Sequence, residues 1–365
     1  MKILLIVNNV FYQKRGSLYT FRAIGEFGSR LTELGHDVEM LQTKLKKDEE
    51  FHDYDLKKSS VRITALKRYK SKLFTYVIVY SVAFWRVCKN DFVYIYYPTN
   101  YHYLAFVSMI FRKEYALNIR GQHNVDRRLS RILYKYAKFV FTVSPGFTSL
   151  VNKAGGRGIT QRPGISFNYN DIISRTYLTF PAIFKILYLG RLDIEKGLLE
   201  LIEAARVLVD KGIVNFKIIV VGDGYHEIQI KERMKELHLE KFINFYGPEN
   251  DLEKLKIIYK SSDIFVLPTY HEGFPRTLYE AMIFGVPVLT TFVGGIPFLL
   301  KDKVNSIRIE PKSVESIVDK LIYVFDNYEN LIEIVHNAEA LVRGIFDPER
   351  KSHADEFNDN VNKEI

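Results

Sequence analysis

The sequence predicts an α/β protein made of two domains, each built on a parallel sheet with helices between its strands. Three observations carry that expectation. Strand and helix patterns alternate in both halves of the chain. At 365 residues it exceeds what one hydrophobic core usually holds. Its 47% hydrophobic and 26% charged residues supply material for two cores and exclude a disordered chain.

Each element follows from local residue types. Lys2 to Val7 reads as a buried strand, Asn8 to Gly16 as a loop, Ser17 to Leu34 as a helix stopped by Gly35, and Asp37 to Leu41 as the next strand. Further strands are expected at Phe92 to Tyr96, Tyr115 to Ile119 and Phe139 to Val143, the last running into Ser144-Pro145, a helix start. Residues 157–170, with Gly158, Pro163 and Gly164, read as a linker. The second half repeats the pattern, with strands at 184–189, 216–221 and 242–246 and helices at 198–210 and 226–237. A further helix, Val314 to Phe325, follows Ser313, a good N-cap. The expected domains are 1–165 and 166–346.

The stretch most informative about chemistry is His271 to Pro297, HEGFPRTLYEAMIFGVPVLTTFVGGIP. Ile264 to Leu267 before it reads as a buried strand, and Pro268 to Phe274 as a loop. Pro275 suits the first position of a helix whose apolar face is Leu278, Ala281 and Met282 and whose stop is Gly285. A helix start at the carboxyl end of a parallel strand is where open α/β sheets bind ligands, and its free amides favour an anion. Glu272 in the loop and Glu280 on the second turn are placed to accept hydrogen bonds from hydroxyls. By themselves, both also fit solvated helix-end charges. Upstream, ILYLGRLDIEKGLLELIEAA, residues 186–205, puts Gly190-Arg191 after a strand and Lys196-Gly197 before a helix.

Together, Glu272-Gly-Phe, Glu280-Ala-Met, Gly285-Val-Pro-Val, Gly294-Gly-Ile-Pro and the 186–205 segment resemble the large retaining glycosyltransferase family 4, of the group 1 glycosyl transferases. The resemblance implies the GT-B fold, two Rossmann-like domains facing a central cleft, with an acceptor-side first domain and a nucleotide-sugar donor domain second. It implies that Arg191 and Lys196 hold the donor diphosphate, Glu280 the ribose and Glu272 the transferred sugar. Gly190, Gly222, Gly273, Phe274, Arg276, Thr277 and Leu278 would complete the donor pocket. Gly16 would approach the diphosphate from the first domain. The final segment, from about 347, would return to the first domain. On the acceptor side, Arg120 stands where many members carry a reactive-site His, and His123 follows three residues later; both are candidate catalytic groups. Pro275 replaces a common Gly, Phe298 a common Glu, and Ser17 follows Gly16 where a second Gly is usual.

The chemistry of these roles is physically consistent. Breaking a sugar–phosphate bond leaves extra negative charge on the departing nucleoside diphosphate, so fixed cations belong there. An Arg fork and a Lys point charge meet that need without a metal. No cofactor is expected beyond a UDP- or GDP-type nucleotide sugar as co-substrate, and metal-independent chemistry is implied. Asp53-Tyr54-Asp55 matches a metal-binding DxD pattern but is short enough to arise by chance, and Cys and His show no ligand spacing. Val221-Gly222-Asp223-Gly224 is similar to a dinucleotide fingerprint, but Glu227 stands at its third glycine, so a turn lining the nucleotide pocket is the better reading.

Charge is unevenly divided. Residues 1–180 hold 29 Lys and Arg against 13 Asp and Glu, leaving 23 against 30 for the remainder. From Lys57 to Lys89 there are nine basic residues and no acidic one, interleaved with Leu66, Tyr69, Leu73, Phe74, Tyr76 and Trp85. That pattern fits an anionic membrane surface, where each nearby basic residue contributes about 1 kcal/mol; a solvated basic face is the plainer alternative. No nucleic-acid-binding motif accompanies it. The opening MKILLIVNN is too short for a signal-peptide core, Leu73 to Trp85 is too interrupted to span a bilayer, and the single Cys88 suits a reducing compartment. The expectation is a cytoplasmic enzyme, peripheral on the inner face of the membrane, moving a sugar to a glycan or lipid-linked acceptor. A GT-B epimerase, a non-catalytic donor-binding scaffold and a nucleic-acid-binding protein are the alternatives.

Overall fold

The computed structural model describes residues 1–7, 10–14, 16–45, 54–97, 101–120 and 125–363. The chain divides into two compact units, Met1–Arg162 with Lys351–Ile365, and Pro163–Arg350. In chain order the first contains β1 (Lys2–Ile6), β2 (Phe11–Lys14), β3 (Ser17–Thr20), α1 (Arg22–Glu33), β4 (Asp37–Leu45), β5 (Tyr54–Asp55), β6 (Arg62–Lys67), α2 (Lys72–Lys89), β7 (Phe92–Tyr97), α3 (Leu104–Ile110), β8 (Glu114–Ile119), α4 (Arg128–Tyr136), β9 (Phe139–Thr142), α5 (Pro145–Lys153) and β10 (Gly158–Thr160). Its sheet runs β10-β9-β8-β7-β1-β4-β2-β3-β5, with β6 also on β4. Strand β1 is buried on both sides: Leu4 and Ile6 enter one apolar cluster, Ile3 and Leu5 the other. Such a strand must be apolar throughout, as a parallel sheet covered by helices on both faces requires.

The second unit contains β11 (Phe184–Leu189), α6 (Leu198–Asp210), β12 (Phe216–Val221), α7 (Glu227–Glu236), β13 (Ile243–Gly247), α8 (Leu252–Lys260), β14 (Ile264–Leu267), α9 (Arg276–Ile283), β15 (Val288–Thr291), β16 (Ile307–Ile309), α10 (Val314–Asn327) and α11 (Ile332–Phe346). Its strands are all parallel, in the order β13-β12-β11-β14-β15-β16. The chain winds outward one way from β11 and the other way from β14. Those two adjacent strands define the topological switch point, where an open α/β sheet leaves a crevice at its carboxyl edge.

The last helix, α12 (His353–Asn362), belongs to the first unit. Phe357 is fully buried among Phe92, Tyr94 and Phe139. His353 stacks on Phe27 with ring centroids 4.4 Å apart, and its Nε2 lies 2.8 Å from the Tyr94 hydroxyl. Burial pulls the His353 pKa down to about 3, aided by the nearby Arg120 charge. Asp355 accepts hydrogen bonds from Arg30 at the rim.

Three sequence expectations need correction. Residues 17–20 form a strand instead of a helical turn: β2 and β3 make an antiparallel hairpin pairing Tyr12 with Tyr19, and α1 starts at Arg22. Tyr12 and Tyr19 face each other as a cross-strand aromatic pair there, and Gly16 occupies the turn at φ +78°. Gly158 to Thr160, expected in the linker, extend the sheet beside β9. Pro275 is the N-cap of α9, in extended geometry, and Arg276 takes the first helical position.

The basic segment also resolves into two parts. Arg62 is paired with Asp37 at 2.9 Å and Arg86 with Glu39 at 3.2 Å, whereas Lys67, Arg68, Lys70 and Lys72 are exposed. Helix α2 buries Thr75, Val79 and Ala83 but turns Leu73, Phe74, Val77, Phe84 and Trp85 to solvent. Leu73 is 75% exposed and Trp85 67%. The neighbouring end of α3 adds Ile110, 76% exposed, and Phe111, whose ring meets Phe84 edge-on at 5.2 Å. Among the described residues, no helix is long and apolar enough to cross a membrane.

Candidate active site

The switch point of the second unit gathers the charged residues singled out in the sequence. From β11 the chain passes through Gly190 and Arg191 into a short turn, Ile194–Lys196, and then through Gly197 into α6. From β14 it passes through residues 268–275 into α9. These two connections lie against each other. Gly197 has φ +73°, and a Cβ there would collide with the Pro268 carbonyl. The Tyr270 amide donates to the Glu195 carbonyl at 2.8 Å, and the Thr269 hydroxyl reaches the same oxygen at 3.2 Å.

The third wall comes from β12. Gly222 has φ +133°, and its open face lies against the Gly190 carbonyl, where a side chain has no room. The Gly190 amide donates to the Val221 carbonyl at 3.0 Å, and the Leu192 amide to the Asp223 carbonyl at 2.7 Å. The Tyr188 hydroxyl donates to the Arg191 carbonyl at 2.9 Å. The Gly222-Asp223-Gly224 turn is therefore a close-packing device for the strand ends.

Opposite charges are already paired in this site. Lys196 Nζ forms a salt bridge with Glu272 Oε1, both side chains being 16% exposed. Arg191 meets Asp193 at 2.9 Å and remains well exposed, and His226 Nδ1 lies 3.8 Å from the other Asp193 oxygen. Glu280, on the second turn of α9, accepts a 2.8 Å hydrogen bond from the Tyr259 hydroxyl. Burial pushes the Glu280 carboxyl above the usual range; the Tyr259 bond and the Arg276 charge partly oppose that rise.

The other candidates sort by burial. Leu278 is fully buried and Phe274 nearly so, its ring tilted against Tyr279 with centroids 4.3 Å apart, so both serve the core through their side chains. Gly273 is buried, Thr277 half-buried and Arg276 exposed at the start of α9. In the first unit, Gly16 is exposed in the hairpin turn. Arg120 follows β8, its guanidinium 5.7 Å from the Tyr96 ring centroid. His123 and Asp53 lie outside the described residues. Asp55 caps a short turn by accepting from the Lys57 amide at 3.0 Å. Among the described residues, no cluster of His, Cys, Asp or Glu is arranged to hold a metal ion.

Sequence reasoning missed Asp193, Tyr259, Tyr270 and Glu200. Asp193 was legible as a carboxylate two residues from Arg191. The others meet their partners across long stretches of chain: Tyr259 donates to Glu280, and the Tyr270 hydroxyl donates to Glu200 Oε1.

Lys196 stands immediately before the Gly197 N-cap of α6 with its charge on Glu272, and Arg191 lies at the end of β11 with its charge on Asp193; cations and helix N-terminal amides are groups that anions favour. At about 4 Å and an effective dielectric near 20, each charge contact is on the order of 4 kcal/mol before desolvation.

Two parallel doubly wound units define the GT-B fold. The chain is similar over 99% of its length to 98% of the Anabaena protein Alr3699/HepE, solved in complex with UDP, with a TM-score of 0.70 and 19% identity. The family described as glycosyl transferases group 1 matches residues 178–341, which lie within the second unit. An uncharacterised glycosyltransferase of Methanocaldococcus jannaschii is 32% identical over 154 residues, 42% of this chain and 39% of that protein. The UDP-Gal:alpha-D-GlcNAc-diphosphoundecaprenol alpha-1,3-galactosyltransferase of Escherichia coli is 30% identical over 146 residues, 40% of this chain and 37% of that protein. The chain thus spans less than half the length of these curated relatives.

Proposed function

We propose that the protein is a retaining glycosyltransferase of family 4 that moves a sugar from a nucleotide diphosphate, UDP or GDP, to a glycan or lipid-linked acceptor without a metal. The observation that carries this is the pairing of Arg191, Lys196, Glu272 and Glu280 with the β11/β14 switch point, inside the stretch matched by the group 1 glycosyl transferases. The UDP complex of HepE and the lipid-linked substrate named for the E. coli relative support the donor and acceptor classes.

In this reading Arg191 and Lys196 take the diphosphate, Glu280 the ribose and Glu272 the sugar hydroxyls. The bond from the anomeric carbon to the phosphate oxygen breaks while the acceptor oxygen bonds the same carbon from the same face. The acceptor's proton passes to the departing phosphate oxygen, and the cations stabilise the charge that develops there. The first unit supplies the acceptor side, with Arg120 and His123 as candidate groups. The exposed apolar face of α2, with Lys67, Arg68, Lys70 and Lys72 leading into its N-terminal end, suits a peripheral place on the anionic inner face of the cytoplasmic membrane. Synthesis of a surface polysaccharide, lipopolysaccharide or glycolipid is the fitting setting.

Incubation with a panel of UDP- and GDP-sugars, with and without lipid-linked acceptors, tests the proposal. Transfer or slow donor hydrolysis is expected, falling at least about 100-fold in Glu272→Ala and Lys196→Ala. Unchanged turnover in both variants, or an epimerised donor as the product, would refute it.

A further inference from the structure

We propose that Tyr270 and Glu200 form a strut that positions the Glu272 loop while the Lys196–Glu272 pair opens to admit the donor diphosphate; this rests on the transferase reading above. A diphosphate that takes Lys196 must compete with Glu272 for it. The loop bearing Glu272 then needs anchors that this exchange leaves intact. One is the Tyr270 hydroxyl, which donates to Glu200 Oε1 on the first turn of α6. A second is the Tyr270 amide on the Glu195 carbonyl, and a third is Thr291, whose hydroxyl donates to the Thr269 carbonyl at 2.6 Å.

The Tyr270–Glu200 bond joins the two functional segments directly. Glu200 lies four residues after Lys196, and Tyr270 two before Glu272. The bond ties the carboxylate that would hold the sugar to the helix whose N-terminus would face the diphosphate. Lys312 Nζ lies 4.9 Å from the Tyr270 ring centroid, a cation that further fixes the ring. Burial and the Glu200 partner both push the Tyr270 hydroxyl pKa up, so it stays a donor over the working pH range.

Tyr270→Phe, Glu200→Ala and Glu200→Gln, compared in the full chain, test the strut. Three readouts are needed: hydrogen–deuterium exchange over 268–275, nucleoside diphosphate affinity, and turnover of the nucleotide sugar that the unmodified protein uses. Tyr270→Phe and Glu200→Ala are expected to speed exchange of the loop and to lower kcat about 10-fold, the worth of one hydrogen bond to a charged group, with UDP or GDP affinity held within about twofold. Glu200→Gln keeps an acceptor and is expected to restore both properties. Unchanged loop exchange would overturn the strut. So would equal damage from Gln and Ala, or a loss of diphosphate affinity parallel to the loss of turnover, since that signals general disruption. If the unmodified protein turns over no nucleotide sugar, the transferase reading fails, and the exchange rates alone then decide whether the strut exists.

Discussion

The two units share one architecture but place their polar groups differently. In the second, the carboxyl edge of the sheet is held by three glycine close approaches and backbone bonds, and its cations sit against carboxylates. In the first, exposed Lys67, Arg68, Lys70 and Lys72 lie beside a helix that turns large apolar side chains outward. Rigid, charge-compensated walls suit a small ligand that must displace internal partners. Exposed basic residues at one end of an exposed apolar face suit a broad anionic surface. The sheet order is thus permissive, and what separates the two units is how their charged groups are distributed.

The sharpest way to break this contrast is through the core of the first unit, because its integrity depends on a helix from the far end of the chain. Phe357→Ala is expected to destabilise that unit by about 3 to 5 kcal/mol, since it empties a fully buried aromatic cluster. Denaturant melts followed through the single Trp85, which lies in the first unit, would measure it. A loss below about 1 kcal/mol would show that α12 is peripheral.

Acid provides a second probe. His353 is neutral when folded, with its pKa lowered to about 3 from 6.5 by burial and then by Arg120. The unfolded chain binds that proton more readily, so this contribution is intact above pH 6.5 and lost as pH falls from 6.5 toward 3. The loss approaches about 1.4 kcal/mol per pH unit within that window. His353→Gln should flatten the pH dependence of melting between pH 6.5 and 4; an unchanged slope would place the acid sensitivity elsewhere.

A smaller effect sharpens the surface assignment. Charge reversal at Lys67, Arg68, Lys70 and Lys72 should abolish sedimentation with anionic vesicles, and Leu73→Ser with Trp85→Ser should weaken it on the order of 10-fold. Binding that survives the charge reversal would remove these four residues as the membrane contact, and no sedimentation by the unmodified protein would remove the membrane from the account.

Much of the second unit was readable from residue order. Strands 184–189 and 216–221 and helix 198–210 coincide with β11, β12 and α6, because short, largely apolar runs and a glycine at the helix entry leave few alternatives. The hairpin at Phe11 to Thr20 was not, since four-residue strands carry too little periodicity to compete with a neighbouring amphipathic helix. The candidate site was legible as a set of charges but not as a set of pairs. Lys196 and Glu272 are 76 residues apart, and Tyr270 and Glu200 are 70, so only the fold brings them together.

The pairing of Lys196 with Glu272 makes the most direct test one of opposite signs. Calorimetric titration of UDP and GDP, without a sugar attached, into Lys196→Ala and Glu272→Ala separates donor binding from turnover. If the cation serves the diphosphate and the carboxylate competes for it, Lys196→Ala weakens binding at least about 10-fold, whereas Glu272→Ala leaves it unchanged or tightens it roughly threefold. Equal loss in both variants, or no nucleotide binding by the unmodified protein, would contradict the assignment of this crevice as a donor site.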